Sequence, residues 1–348
     1  MHIPDFIFGY SPWGIAVGVI GCVIAAVLLV LSINWARKNL TAQKIAILAV
    51  IAAGIFALQA FNLPTGFGVS GHLVGGALAA IVFGSPFAAV FILTIVLVIQ
   101  ALIFGDGGVL ALGLNIINMG FIAGCIGFYS YKFASKKIPK PVSAGIAGWL
   151  ACVIAAGCCA LELALVGAIP VTVGLPVMLI YHAIIGVVEG VITAVLIALI
   201  FKVRPDLTGN TDKQPVSLKK VLAVGLIIVI IIAGCAVFFA STNPDGLDST
   251  FLVNEGHKQV FDDATTDEIS GEKFDPIQWN APFRDYSLGE GTGPGGGVIA
   301  LIAGIVIALA AIVIIAKVAT RGRNRAETAK APAADAKLQE DPGDSGKK

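Results

Sequence analysis

The first 201 residues form a nearly unbroken series of apolar stretches, and this feature limits the chain to a membrane-embedded fold. Only 11 of the 45 charged side chains fall in this part of the sequence. Of the 348 residues, 13% are charged, whereas a soluble domain carries about 25%. Too few polar groups remain to cover a water-exposed surface. The composition therefore excludes a cytosolic enzyme and a disordered scaffold. The net charge of +1 provides no strongly basic surface that would bind nucleic acid.

Nine segments approach the roughly 20 apolar residues that a membrane-spanning helix needs. They predict an all-α integral membrane protein with about nine transmembrane helices. The segments are 12–34, 44–61, 69–84, 86–104, 108–131, 143–168, 172–201, 219–240 and 297–317. The third is short and is separated from the fourth by the turn Gly84-Ser85-Pro86. The third segment could either cross the membrane fully or form a re-entrant helix.

Lysines and arginines follow the first, fifth, seventh and ninth segments. If these clusters are cytoplasmic, the N-terminus lies outside the cell membrane and the C-terminus inside, provided that the third segment crosses. An ordinary secretory signal carries Lys or Arg before its apolar run. No Lys or Arg precedes the first apolar run of this chain, so Met1 is predicted to be the mature N-terminus. The clusters are Arg37, Lys38 and Lys44; Lys132, Lys136, Lys137 and Lys140; Lys202, Arg204, Lys213, Lys219 and Lys220; and Lys317, Arg321, Arg323 and Arg325.

The last third of the chain contains two polar segments. Residues 241–295 hold eleven acidic side chains against Lys258, Lys273 and Arg284. This segment suits either a metal-gathering vestibule or, as we favour, an ordinary solvated external loop, in which His257 is solvated too. The segment beyond Lys317 has the composition of a disordered cytoplasmic tail. The six cysteines all lie in apolar runs without a C-x-x-C pair and are read as small buried hydrophobes.

A few polar side chains interrupt the first seven segments, and groups of this kind in a membrane default to a functional hypothesis. They are His2, His72, Asp106, Asn115, Asn118, Glu162, His182 and Glu189. In the predicted topology His2, His72, Asp106 and His182 all fall towards the outer face, which favours an outward-facing site. His72 could instead cap its helix, and Asp106 could hold its glycine-rich turn or orient a histidine. His182, Glu162 and Glu189 are favoured as interhelical bonding groups.

His2 has the groups to form a metal chelate together with the chain terminus. A free terminal amine, the amide nitrogen of residue 2 and its imidazole can bind one metal through adjacent five- and six-membered chelate rings. One more imidazole, such as that of His72, would complete a square of nitrogens, which suits Ni(II) or Cu(II). Any chain with histidine at position 2 could form this chelate. The alternative is therefore that His2 occurs at this position by chance.

Several enzyme motifs are absent from the sequence. It contains no G-x-x-x-x-G-K-[ST], no H-E-x-x-H and no G-x-S-x-G. We therefore predict that the chain is not an enzyme and that any coupling to ATP comes from another chain.

Five motifs, in order, resemble the substrate-capture (M-type) proteins of nickel and cobalt energy-coupling-factor transporters. They are Met1-His2-Ile3-Pro4-Asp5, Ser70-Gly71-His72-Leu73-Val74-Gly75-Gly76, Phe104-Gly105-Asp106-Gly107-Gly108, Asn115-Ile116-Ile117-Asn118-Met119-Gly120 and Lys202-Val203-Arg204-Pro205-Asp206-Leu207. The remainder resembles the small two-span accessory (N-type) subunit, fused on. Its signs are Pro244-Asp245-Gly246-Leu247-Asp248 and Asp285-Tyr286-Ser287. The family usually has Gly where this chain has Phe6, which suggests a different turn of the N-terminal arm.

The resemblance implies a seven-helix metal-capture domain over 1–207, a cytoplasmic linker over 208–218, an accessory module over 219–317 and a tail over 318–348. It implies Met1, His2 and His72 as metal ligands. Asp106, Asn115, Asn118 and His182 are candidates for lining the pocket or supporting the ligands. It also implies as partners a transmembrane coupling (T/Q-type) subunit and cytoplasmic ATP-binding cassette ATPases. The cargo would be Ni(II), with Co(II) as the alternative, and no resident cofactor is expected. A stand-alone channel or secondary permease is the rival, and a membrane metalloenzyme is a weaker one.

Overall fold

The computed structural model describes residues 1–208, 214–262, 277, 279–289 and 291–339, with side chains described up to Arg321 except that of Thr208. Within these residues the helices are α1 (Gly14–Asn39), α2 (Ala42–Gln59), α3 (Gly76–Phe83), α4 (Pro86–Ile99), α5 (Leu112–Asn115), α6 (Ala123–Ala134), α7 (Lys140–Leu165), α8 (Val171–Val203), α9 (Leu218–Phe239), α10 (Gly246–Asn254) and α11 (Gly293–Gln339). Strands β1 (Leu63–Pro64) and β2 (Ser70–Gly71) form one antiparallel hairpin, with Leu63 opposite Gly71. Segments of π-helix, Gln100–Phe104 and Ile116–Ile122, extend α4 and join α5 to α6.

Eight helical segments of the described chain are long and apolar enough to cross a membrane, which confirms the all-α, multi-pass membrane class. They are Gly14–Asn39, Ala42–Gln59, Pro86–Phe104, Leu112–Ala134, Lys140–Leu165, Val171–Val203, Leu218–Phe239 and Gly293–Arg321. Large apolar side chains such as Ile20 and Val23 of α1 are more than half exposed, at 58% and 59%. In a bilayer these side chains face lipid.

The third predicted segment differs from a spanning helix. Helix α3 has only eight residues, about 12 Å of helix, and the residues before it are β2 and irregular backbone. Both ends of α3 are glycines in the left-handed conformation, Gly75 with φ 80° and Gly84 with φ 68°, which only glycine adopts without strain. Non-helical backbone at membrane depth is tolerated only where protein buries it, and residues 69–82 are all buried.

Small residues let the helices approach closely. A Cβ atom on Gly127 of α6 would lie 2.4 Å from the Cβ of Ala77 in α3. In the α7–α8 hairpin, a Cβ atom on Gly190 would lie 2.7 Å from the carbonyl oxygen of Gly145, and one on Gly186 would meet Trp149 at 2.9 Å. Larger residues at these positions would force the helices apart.

The last third of the chain docks on the first seven segments. Helices α9 and α11 contact α2, and α10 contacts α8. In the predicted external loop, the described part that contains α10 is folded against the bundle, with Leu247, Phe251 and Leu252 buried. The prediction of a merely solvated loop is therefore wrong for this part, whereas residues 263–276, 278 and 290 lie outside the described residues. His257 is half-exposed beside Glu255, as expected for a solvated group.

The predicted tail, residues 318–348, begins within helix α11, which continues to Gln339. Residues 340–348, like 209–213 of the predicted linker, lie outside the described residues.

Candidate metal-binding site

The N-terminal arm is inserted into the helix bundle by its own side chains. The Asp5 carboxylate accepts hydrogen bonds from the backbone N–H groups of Val109 (2.7 Å) and Ala111 (2.8 Å). The Asn115 side chain accepts from Ile3 N (2.8 Å) and donates to Ile3 O (3.2 Å). Ile3 and Ile7 are fully buried. These contacts fix the position of the terminal amine.

The Met1 amine meets two side chains that are distant in sequence. It donates to Asp245 Oδ2 at 2.5 Å and lies 2.7 Å from His72 Nε2. His72 Nδ1 lies 3.1 Å from the carbonyl oxygen of Leu73. Donation of Nδ1–H to that carbonyl leaves Nε2 as the free lone pair, which is the tautomer of a metal-binding histidine.

The segment that carries His72 is held by two buried side chains. Glu189 of α8 accepts hydrogen bonds from Val74 N (2.6 Å) and Gly75 N (3.1 Å), and Gln59 of α2 donates to Val74 O at 2.8 Å. Glu189 therefore bonds an irregular segment rather than another helix, and it positions a candidate ligand.

His2 faces a second carboxylate. Its Nδ1 lies 3.0 Å from Asp106 Oδ1, and its ring stacks on that of His72 with centroids 4.7 Å apart. Tyr286 donates its hydroxyl to Asp106 Oδ2 at 2.5 Å and accepts from Gln100 at 3.2 Å. Among the described residues no hydrogen bond reaches the buried Nε2 of His2. Asp106 thus orients a histidine, one of the two roles considered for it.

Charge pairing sets the protonation of this cluster. Burial alone would lower the pKa of the Met1 amine, but Asp245 outweighs it and raises the pKa. Burial would likewise raise the pKa of Asp245, yet the ammonium and His72 hold it well below its usual range. The pKa of Asp106 is held low against burial by His2 and Tyr286. The raised pKa favours the ammonium form of the terminal amine, and a metal bound there would displace its proton.

The predicted site residues divide into two groups. Met1, His2, His72 and Asp106 come together, and Asn115 supports them through Ile3. His182 lines the same small cavity as Met1 and His72, but its Nδ1 bonds Met178 O of its own helix at 2.8 Å. Asn118 does not join the cluster and bonds Glu162 of α7 at 2.6 Å.

Sequence reasoning missed Asp245 and Tyr286 as site residues. Both lie in motifs that, in the sequence, indicate only the accessory module. Asp245 contacts Met1, which is 244 positions away, and Tyr286 contacts Asp106, which is 180 positions away. Asp245 also caps α10 by accepting from Leu247 N and Asp248 N. A single carboxylate thus ties the accessory module to the terminal amine.

Gly246 of the accessory module packs tightly against α8. A Cβ atom on Gly246 would lie 2.6 Å from His182 Cε1, whereas one on Gly234 of α9 would meet nothing within 4 Å. We expect Gly246→Ala to destabilise the protein by about 1–3 kcal/mol and Gly234→Ala to leave it unchanged. Thermal unfolding in detergent compares the two. Equal midpoints would show that this contact does not hold the module in place.

The cluster has the chemistry of a nitrogen-rich metal site. Two nitrogens bound cis to one ion at about 2.0 Å would lie about 2.8 Å apart, close to the observed amine–His72 spacing of 2.7 Å. Within the described residues no three His, Cys, Asp or Glu side chains converge as a metal cluster. The chelate predicted for His2 is not formed here, because its Nδ1 faces Asp106.

Two family models match this chain. Residues 2–207 match the family model described as the cobalt uptake substrate-specific transmembrane region, and residues 219–321 match the PDGLE domain. The chain belongs to the cobalt uptake family. Two solved structures of transition metal transporters share its fold, at 32% and 33% identity, TM-scores of 0.51 and 0.52, and coverage of 58% and 59% of this chain and 99% and 94% of theirs.

Named relatives from this family include metal, nickel and cobalt transport proteins. A metal transport protein of Methanocaldococcus jannaschii is 36% identical over 62% of this chain and 97% of its own. A protein of Archaeoglobus fulgidus named as a fused nickel transport protein, NikMN, is 39% identical over 59% of this chain and 67% of its own. The chain is accordingly a membrane protein of a nickel and cobalt transport family.

Proposed function

We propose that this chain is the fused metal-capture and accessory subunit of an energy-coupling-factor importer, and that its cargo is Ni(II). One observation carries the proposal: the terminal amine, held by Asp245, lies 2.7 Å from Nε2 of His72, so two nitrogen donors face each other in a buried site.

The ligand set follows from the site. The amine and His72 Nε2 already have the spacing of neighbouring ligands. The backbone nitrogen and Nδ1 of His2 would complete a nitrogen square once the imidazole turns away from Asp106, and binding would release one proton from the ammonium and one from the amide nitrogen of His2. Asp106 and Asp245 hold His2 and the amine in the arrangement seen here.

The arrangement of helices supports the proposed orientation. Arg37, Lys132 and Lys202 lie near the ends of α1, α6 and α8, and Lys219 lies at the start of α9. Segment 69–84 leads from His72 at the site to the start of the span Pro86–Phe104, and the far end of that span precedes Asp106 beside His2, so the chain crosses at 69–84 although only α3 is helical. The candidate ligands lie at the helix ends opposite the basic clusters, so a cytoplasmic location for those clusters puts the site and the N-terminus outside and the start of the tail inside. A capture domain over 1–207 joined by the linker 208–218 to an accessory module over 219–317 fits the direct contact of Asp245 with Met1.

The remaining parts of the proposal concern energy and cargo. Because the sequence contains no P-loop motif, ATP hydrolysis would come from cassette ATPases, joined to this chain by a transmembrane coupling subunit. Nickel is favoured by the planar nitrogen set and by the fused nickel relatives. Co(II) is the second candidate, because the family is described by cobalt uptake.

Metal uptake into vesicles tests the importer against the rival permease. With the coupling subunit and ATPases present, we expect ⁶³Ni uptake that requires ATP. The chain alone should bind nickel at the membrane without accumulating it. Accumulation by the chain alone, driven by an ion gradient in ATP-free vesicles, would instead support a secondary permease.

A further inference from the structure

We propose that a cleft between α8 and α9 binds one anionic phospholipid, with an acyl chain along its apolar walls and the phosphate group at Lys220. The cleft has a volume of about 410 Å³, within the range of about 300–1,000 Å³ that is typical of small-molecule sites. It lies where the capture region meets the accessory module. None of the residues that line it is a candidate metal ligand, so the proposal is independent of the cargo.

The walls of the cleft are apolar and run along three helices. Leu199 of α8, Val224 of α9 and Ile51 of α2 belong to the lining, and the first two are about half exposed. On α9 the lining extends from Lys220 to Ile232, which is about 18 Å of helix. This length is comparable to one leaflet of a hydrocarbon core that is about 30 Å thick. The cleft therefore has the length and the polarity to hold one acyl chain.

One end of the cleft is strongly basic. Five basic side chains lie at the start of α2, the end of α8 and the start of α9, which meet at this end. They are Lys44, Lys202, Arg204, Lys219 and Lys220. Among the described residues of these helix ends Asp206 is the acid, and it is bonded to Arg204 at 2.6 Å. The net charge is therefore positive where a lipid headgroup would lie.

Lys220 is the cation that a headgroup in the cleft can reach. It lines the cleft, it is exposed, and within the described part of the chain it forms no ion pair. Lysines at the depth of the headgroups attract anionic lipids. In the orientation proposed above this end faces the cytoplasm, and the cytoplasmic leaflet is the one that anionic lipids make negative.

A lipid in this position would join the two parts of the chain. Of the 22 residues of α9, only Val229, Ala233 and Ala236 are buried. Helix α9 packs on α2, and the cleft separates it from α8. An unfilled apolar gap forfeits the dispersion contacts of the atoms that line it. An acyl chain restores these contacts, and the phosphate pairs with Lys220, so the lipid stabilises the docking of α9.

Lipid titration of the purified chain in a neutral detergent tests the site. We expect one dioleoyl phosphatidylglycerol to be retained per chain in native mass spectrometry, and the same lipid to raise the thermal unfolding midpoint. Dioleoyl phosphatidylcholine should bind at least about fivefold more weakly, because it has no net negative charge for a lysine to attract. Equal binding of the two lipids would overturn the proposal.

Two variants separate the basic end from the apolar walls. Lys220→Glu should weaken phosphatidylglycerol binding about 30-fold, because one favourable charge is removed and one unfavourable charge is added. Leu199→Trp fills the cleft and should weaken binding without changing any charge. The controls are Lys136→Glu, after α6, and Val187→Trp, on α8 but outside the lining. Both should bind the lipid as the wild type does, and unfolding midpoints without added lipid show that all four variants fold.

Two results would place the lipid elsewhere. Unchanged binding in both cleft variants, or an equal loss in the two controls, would overturn the proposal. A wild-type chain that retains no phosphatidylglycerol, and whose Lys220 becomes shielded from amine-labelling reagents only when a coupling subunit is bound, would assign the cleft to a helix of that subunit. That result would also overturn the proposal.

Discussion

We expect replacement of either His2 or His72 with alanine to abolish high-affinity nickel binding. In the proposed ligand set His72 contributes its Nε2 lone pair beside the amine and His2 contributes its imidazole, while the backbone nitrogen of residue 2 remains in the alanine variant. Loss of a group that only orients a ligand costs about 10–100-fold in metal affinity, so removal of a ligand should cost at least about 100-fold. Nickel titration of the purified variants in detergent measures the loss.

His257→Ala is the matched control, because His257 is half-exposed beside Glu255 and lies away from the site. It should bind nickel as tightly as the wild type. A His72→Ala protein that keeps full affinity would remove His72 from the ligand set.

We expect extension of the chain by residues before Met1 to weaken nickel binding by a similar factor. An added residue converts the amine into an amide nitrogen, which has no basic lone pair and no charge for Asp245. It also needs space where Met1 is only 3% exposed. We expect the extended protein to lose nickel binding while it still folds, as judged by its unfolding temperature.

The same extension placed after Lys348 serves as the control and should leave binding unchanged. Tight binding by the N-terminally extended protein would show that the amine is not a ligand. The site would then have to be rebuilt from His72, His2 and the two carboxylates.

Much of the site could be predicted because its chemistry is local. His2 needs only its own backbone to chelate, and Asp106 lies in a glycine-rich turn at the predicted outer face. The contact of Asp245 with Met1 could not be predicted, because nothing in residues 1–207 indicates where the external loop of the accessory module docks. The direction of the His2 imidazole, towards Asp106, depends on a rotamer that spacing does not reveal.

The fold shows the same division. Hydropathy identified the eight long helices, because about 20 apolar residues have few alternatives in a bilayer. It failed at 69–84, where the segment is apolar enough but its glycines favour irregular backbone. That exception places His72 on a segment held by Glu189 and Gln59 rather than on a regular helix. Hydropathy averaged along the sequence cannot detect hydrogen bonds between these distant side chains and the backbone of the segment.

The fusion gives the accessory module a physical role at the site. Asp245 neutralises the buried ammonium, caps α10 and brings Gly246 against His182. Two parts of one chain thus complete the surroundings of the amine. The capture region alone would leave the ammonium without its closest carboxylate.

Titration of the protein with its native N-terminus by Ni(II) and Co(II), with the absorption spectrum recorded at each step, shows whether the terminal amine and both histidines bind a metal. We predict tight binding of one nickel ion with the yellow, diamagnetic signature of a planar nitrogen site, and weaker binding of cobalt. Preferred cobalt binding would change the cargo and keep the capture role. Binding of neither ion would contradict the proposed site, because the amine and both histidines would then serve only the fold.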